Sequence, residues 1–353
     1  MSFCFNFDVP AQTTNPEEEP GVHLQHGQKD NAAKPIEDRT KPAEPAKEAE
    51  EHLPQSDPQF LLTDAVAETI TIGSLPPLHF LNETVFEKTA AEREDREKIL
   101  SRTAEQRSDL ISGVYEGGLK VWECTYDLLE LIEKDGETFG GKAVLDLGCG
   151  AGLLGILALK RGARQVHFQD YNSTVIEQLT VPNVILNCQE EDEVDSDEDK
   201  QGSGKGKVKE EDGCEKKVKD EEKDGISPPK KRAADLSQDP LLAKCRFFSG
   251  DWSTFLALLK KEDPQPKYDI IFTAETIYNT AYYPALHETL HKLLAPDGLV
   301  YLATKSHYFG VGGGLHLFET FVEQRGVFSL DHLWDGEDGL QRHVVVLRFK
   351  KPL

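Results

Sequence analysis

Two hydrophobic rhythms run from about residue 108 to the C-terminus. Short, nearly continuous apolar runs predict buried strands at 142–147, 165–170, 245–249, 268–273, 298–304 and 342–350. Between them, apolar residues recur at helical spacing over 153–161, 174–187 (despite Pro182), 254–261, 282–294 and 315–325. A further helix is expected from near Thr125. Repeated β-α alternation predicts an α/β fold, with a parallel, doubly wound sheet and helices on both faces. Such sheets bind ligands beyond the carboxyl ends of their strands, near the switch point, so the loops that follow strands are where chemistry is sought. No internal repeat is visible.

Elsewhere the pattern is lost. Roughly the first hundred residues are rich in Pro, Glu, Lys and Gln and hold few apolar clusters. Such a segment buries too little surface to offset chain entropy, so disorder is expected over most of 1–100. Phe3-Cys-Phe-Asn-Phe7 is an exception, readable as a docking motif or as a sticky terminus. A second low-complexity block, 189–239, joins an acidic run to a Gly/Lys/Glu stretch and to Ser227-Pro-Pro-Lys-Lys-Arg232. A connection this long inside a compact unit reads as a disordered insertion. The expected globular domain is therefore discontinuous, 101–188 plus 240–353.

The net charge of -23 argues against broad nucleic-acid binding and suits a basic partner. Six cysteines lie scattered at 4, 124, 149, 188, 214 and 245, with no C-x-x-C pair and no Cys/His cluster at zinc spacing. Free thiols in a reducing compartment and no metal are expected. No apolar run is long enough to span a membrane, and no secretory signal opens the chain.

Five motifs carry candidate chemistry. Val144-Leu-Asp-Leu-Gly-Cys-Gly-Ala-Gly152 reads as strand, glycine turn and helix. Its G-x-G-x-G spacing departs from the dinucleotide pattern G-x-G-x-x-G and points to S-adenosylmethionine (SAM); a Rossmann-type oxidoreductase is the competing reading. Gly148, Gly150 and Gly152 let backbone approach a ligand, and Asp146 suits a cationic amino group. Asp170 lies about 20 positions after the turn, where a carboxylate accepts from ribose hydroxyls. Tyr171 can pack beside adenine; helix capping by Asp170 or Asn172 is the bland alternative. Asp251 can accept from the adenine amine, and Trp252 can stack on the ring or serve as core. The run 117–125, with Trp122 and Glu123, fits a lid over the cofactor or plain packing on the sheet. Glu275-Thr-Ile-Tyr-Asn279 follows the 268–273 strand, on the loop expected to face the reacting methyl. The glycine-rich run His307–His316 suits recognition of a peptide.

In this order the motifs resemble the seven-β-strand, SAM-dependent methyltransferases, and Glu275-x-x-Tyr278 is similar to the [D/E]-x-x-Y signature of the protein-methylating subgroup. The runs 113–125, 167–172 and 307–314 resemble the histidine protein methyltransferase family. The resemblance implies a seven-stranded Rossmann-like sheet, SAM as cofactor and S-adenosylhomocysteine as product. It implies contacts at Val121, Trp122, Glu123, Cys124, Thr125, Gly148, Gln169, Asp170, Tyr171, Gly250, Asp251, Trp252 and Ala274. Ala274 departs from the serine of a relative, so a backbone contact there survives and a hydroxyl contact does not. The implied substrate is a histidine of a large-subunit ribosomal protein of the uL3 class, with an influence on ribosome biogenesis or translation.

Histidine has an unperturbed pKa near 6.5 and needs orientation more than deprotonation. Glu275 or Asn279 would accept from the non-reacting ring N–H, with Tyr278 shaping the pocket. A lysine substrate, which must first lose a proton, is the rival enzymatic reading. A SAM-binding chaperone that uses the acidic insertion is the non-enzymatic one. Pro228-Pro-Lys-Lys-Arg232 resembles a nuclear import signal, which implies an import receptor as partner and residence in cytoplasm, nucleus and nucleolus. A monomer that binds neither membrane nor nucleic acid directly is expected.

Overall fold

The computed structural model describes residues 46–54, 66–82, 97–99, 102, 109–188, 240–336 and 341–351. The Phe3–Phe7 run, the acidic insertion and the Ser227–Arg232 cluster lie outside the described residues.

Five parallel strands form the centre: β4 (Ala143–Leu147), β5 (Gln165–Asp170), β6 (Cys245–Ser249), β7 (Tyr268–Ala274) and β8 (Leu294–Lys305). All of β4 is buried, as expected of a strand covered on both faces. β9 (Phe328–Asp335) and β10 (Arg342–Phe349) close one side as antiparallel strands. β9 has no counterpart in the sequence pattern: its middle residues Asp331–Leu333 are exposed, so apolar periodicity is weak there. The α/β reading holds, and five of the six expected strands match to within a residue or so. β8 is longer than the expected 298–304.

The other side carries a strand that the sequence reading missed. β1 (Glu50–His52) pairs antiparallel with β6, giving an eight-stranded order β1-β6-β5-β4-β7-β8-β10-β9. Only one of its three residues is buried, so no apolar rhythm marks it. Side chains hold it instead: Arg246 grips Glu51 through two bonds of 2.7 and 2.8 Å, and His52 Nε2 lies 2.8 Å from Ser249 Oγ. A hairpin of β2 (Ala67–Ile70) and β3 (Leu78–Leu81) also precedes residue 101. The amides of His79 and Leu81 donate to Asn187 and Asn183 at 3.0 and 2.9 Å. The fold thus begins well before residue 101, and the expected seven-stranded sheet gains an eighth strand.

Helices cover both faces. α1 (Glu123–Asp135), α2 (Leu153–Lys160) and α3 (173–188) pack on one, while α4 (Trp252–Leu259), α5 (Tyr283–Leu293) and α6 (Leu315–Arg325) pack on the other. α3 tolerates Pro182 because a π-helical turn, Ile176–Thr180, loosens the register just before it. Strand order reverses at β4, which lies between β5 and β7, so the switch point falls at the end of β4, at Asp146 and the glycine turn.

Candidate active site

After β4 the chain turns through Gly148 and Gly150 with φ of 71° and 49°, a region that side chains avoid. The amides of Gly148 and Cys149 both donate to the Gln169 carbonyl, at 2.8 and 2.9 Å, which ties the turn to β5. A Cβ at Gly150 would stand 3.1 Å from the Gly118 carbonyl oxygen, and one at Gly148 would stand 2.6 Å from Thr276. The glycines therefore let three loops meet around one space.

That space is a cavity of about 300 Å³ beyond the strand ends, at the lower edge of the range for small-molecule sites. The structure brings Val121, Trp122, Thr125, Asp146, Gly148, Gly150, Asp170, Tyr171, Asp251, Trp252, Ala274, Glu275 and Tyr278 together on its wall. Five expected residues do not line it. Asn279 caps the short turn Thr280–Tyr282 by accepting from the Ala281 amide at 3.0 Å, so its side chain is spent on local structure. Gln169 is buried and gives its amide hydrogens to the carbonyls of Asp170 and Gly250, both at 2.8 Å. Its oxygen accepts from Trp252 Nε1 at 3.0 Å, so it positions a wall residue from behind. Gly250 lies against Ala49 of the N-terminal segment. Glu123 and Cys124 begin α1 beneath the wall.

Two buried acids mark one end. Burial pushes the Asp146 carboxyl up to about 7, against a 2.9 Å hydrogen bond from the Gly155 amide; nearby Asp170 adds to the rise. Burial likewise takes Asp170 up to about 6, although it accepts from Gly150 N at 3.0 Å and Asn172 N at 3.2 Å. Asp170 is thus a backbone cap and a wall residue at once. Asp251 caps α4 through Ser253 N at 2.8 Å. Lys47 stands 4.8 Å over the Tyr171 ring, and its backbone carbonyl accepts from Asp251 N at 3.1 Å. Ala46 and Lys47 line the cavity, a contribution the sequence reading missed because they precede the recognisable domain.

The segment 113–125 runs along the wall from this end, where Gly118 abuts Asp170, toward Tyr278. Glu116 accepts from the hydroxyls of Tyr278 and Tyr282 (the latter at 3.0 Å) and from the Gly113 amide at 2.6 Å. Burial and Glu116 hold the Tyr278 phenol well above its usual range, which makes it a donor and not a base at neutral pH. Trp122 Nε1 bonds the Gly117 carbonyl at 2.9 Å.

Glu275 departs from these satisfied groups. Its backbone sits at φ 58°, a costly conformation for a residue with a side chain. Its carboxylate is buried at the cavity wall; neither oxygen makes a well-formed hydrogen bond among the described residues, and the Cys124 thiol beside it is at most a weak donor. The Lys305 ammonium stands 3.3 Å away, in an ion pair without hydrogen-bond geometry, and donates to Glu123 at 2.9 Å. Burial alone would depress Lys305, but Glu275 and Glu123 outweigh it and hold it above the ordinary lysine value. Burial and Glu275 push the Cys124 thiol well up, so it is no nucleophile. Lys305 carried no sequence signal, being one lysine at the end of an apolar strand.

Sheet order, glycine turn and walled cavity define a SAM-dependent methyltransferase, and the profile of the methyltransferase domain matches residues 123–333. A Bos taurus protein, histidine protein methyltransferase 1 homolog, is 46% identical over 308 residues, which is 87% of this chain and 74% of its own. The Mus musculus homolog is 42% identical over 90% of this chain and 81% of its own. Saccharomyces cerevisiae histidine protein methyltransferase 1 is 27% identical over 72% of this chain and 70% of its own. This chain belongs to the histidine protein methyltransferase family.

Proposed function

We propose that the chain transfers a methyl group from SAM to a histidine side chain of a large-subunit ribosomal protein of the uL3 class. The observation that carries the histidine reading is Glu275: a buried carboxylate at the cavity wall that faces the Lys305 ammonium at 3.3 Å and the Cys124 thiol, yet makes no well-formed hydrogen bond among the described residues. An imidazole presents the complement, one N–H and one nucleophilic lone pair.

SAM fits the wall. The glycine turn leaves room for close approach, and Asp146, pushed up by burial, gains from a cationic neighbour. Asp170 and Asp251 are acceptors for ribose and adenine, beside Tyr171 and Trp252. Bound there, SAM supplies an electrophilic methyl carbon on a sulfonium. The chain's residues supply orientation. Glu275 accepts from the non-reacting ring N–H, which selects the tautomer and stabilises the positive charge that the ring gains on methylation. Lys305 holds that carboxylate from behind, and Tyr278, fixed by Glu116, shapes the entrance.

With this reading go a monomer, residence in cytoplasm, nucleus and nucleolus through the basic cluster 228–232 and an import receptor, and an influence on ribosome biogenesis or translation. The test is incubation of the chain with labelled SAM and ribosomal proteins from cells that lack it, followed by mass spectrometry. Methylhistidine on the large-subunit protein is expected. Label on lysine rejects the histidine assignment, and cofactor binding without any label favours a chaperone.

A further inference from the structure

His332 and Asp335 stand three apart on β9, so strict alternation would point them to opposite faces. The ladder prevents this. Val344 pairs with Trp334, but Val345 pairs with His332, which leaves Leu333 as a bulge. The extra residue returns His332 to the face that carries Asp335, and His343 of β10 lies directly across from Asp335. The three ligand-type atoms fall within 4.8 Å of one another.

Their partners are unusual for a surface cluster. Nδ1 of His332 and Nδ1 of His343 approach the same oxygen, Asp335 Oδ1, at 2.8 and 2.5 Å. Both Nε2 atoms are held from behind: that of His332 by Glu319 at 2.7 Å, and that of His343 by Ser306 Oγ at 2.6 Å. A neutral imidazole has one N–H, yet His332 stands between two carboxylates. Either the ring carries a second proton, or a cation takes the Nδ1 lone pair while Nε2–H donates to Glu319. The second arrangement is the carboxylate–histidine–metal pattern, with the outer carboxylate fixing tautomer and ring plane. His343 repeats it with Ser306 as the outer partner.

We propose that His332 Nδ1, His343 Nδ1 and an Asp335 carboxylate oxygen bind a divalent first-row transition ion, with zinc as the natural occupant. Two imidazoles and one carboxylate form a usual zinc set, with the fourth position left to water. The His332 and Asp335 side chains are 40% and 56% exposed, so an ion reaches them without unfolding. The bound ion would pin β9 to β10 and, through Glu319 and Ser306, draw in α6 and the residue after Lys305. That places an open, water-completed ion site at the root of the 307–314 loop, outside the cofactor cavity and independent of the substrate assignment.

The test uses the full chain, stripped with a chelator and titrated with Zn²⁺ against a chromophoric competitor, with Co²⁺ absorption as a second readout. One tight Zn²⁺ per chain is expected. The double variant H332N/H343N should lose it, E319Q should weaken it about 10- to 100-fold, and H79N, on β3 beside Thr69 and outside the cluster, should leave it unchanged. Circular dichroism checks folding. If the double variant unfolds, D335N is decisive and must lose the ion. No stoichiometric zinc, or zinc retained by the folded double variant or by D335N, overturns the proposal and leaves a doubly protonated His332 between two acids.

Discussion

Replacing Glu275 with Gln keeps size and backbone conformation while reversing the polarity offered to substrate. Lys305 Nζ is 3.3 Å from one carboxylate oxygen and only 2% of its side chain is exposed, so it requires an acceptor. The new amide must therefore turn its oxygen to Lys305 and its NH₂ to the cavity, where it would meet the imidazole N–H donor to donor. Loss of one preorganised partner of a developing charge costs about 10²–10³ in kcat, or about 2.7–4 kcal/mol. Stability should fall less than the roughly 3–5 kcal/mol of a fully broken buried pair, because Glu123 still holds Lys305 at 2.9 Å. The assay is kcat at saturating SAM, with SAM affinity from calorimetry and Tm from scanning. A drop in kcat of two orders or more is expected, with SAM affinity within about threefold. A kcat within about threefold of the parent would refute the role given to Glu275.

Asn279→Ala should leave kcat intact and cost about 0.5–2 kcal/mol of stability, since its side chain caps a turn; chemical denaturation beside kinetics checks this. Gly118→Ala puts a Cβ 2.9 Å from Asp170 Oδ2 and 3.0 Å from Val175, and the roughly 1–3 kcal/mol of overpacking should appear as weaker SAM binding in calorimetry. Asp146 and Asp170 have folded values of about 7 and about 6, above the usual aspartate value of about 3.9. Their raised values mean that the ligand-free folded chain binds more protons than the unfolded chain over that window, so this stabilisation is present at low pH and is lost as pH rises through 6 to 7. SAM binding near pH 6 should then release protons, and calorimetry in buffers of different ionisation enthalpy would show the release; equal apparent enthalpies would refute it.

Buried elements were legible because burial on both faces writes a dense apolar signal. β4 through β7, α2 and α6 fell close to where periodicity put them, and the glycine turn announced the switch point. Glu275 and Tyr278 were singled out from their place after a buried strand, and both line the cavity. Elements fixed by side-chain pairing were not. β1 has three residues and is held by Arg246 and Ser249, which lie about 200 positions away in the chain. β9 is too exposed to alternate cleanly.

By itself, the sequence determined the α/β alternation, the glycine turn at the cavity and the family likeness, all written in local residue types and spacings. Tertiary structure decided which polar groups are satisfied. It assigned Asn279 to a turn and Gln169 to the back of the wall, and it left the Glu275 carboxylate without a well-formed hydrogen bond among the described residues, beside a lysine that no motif marks. It also brought His332, Asp335 and His343 together through one unpaired residue in a strand, which sequence spacing does not show. Local rules set what a residue can do; hydrogen-bond satisfaction depends on distant neighbours, and only the folded chain supplies them.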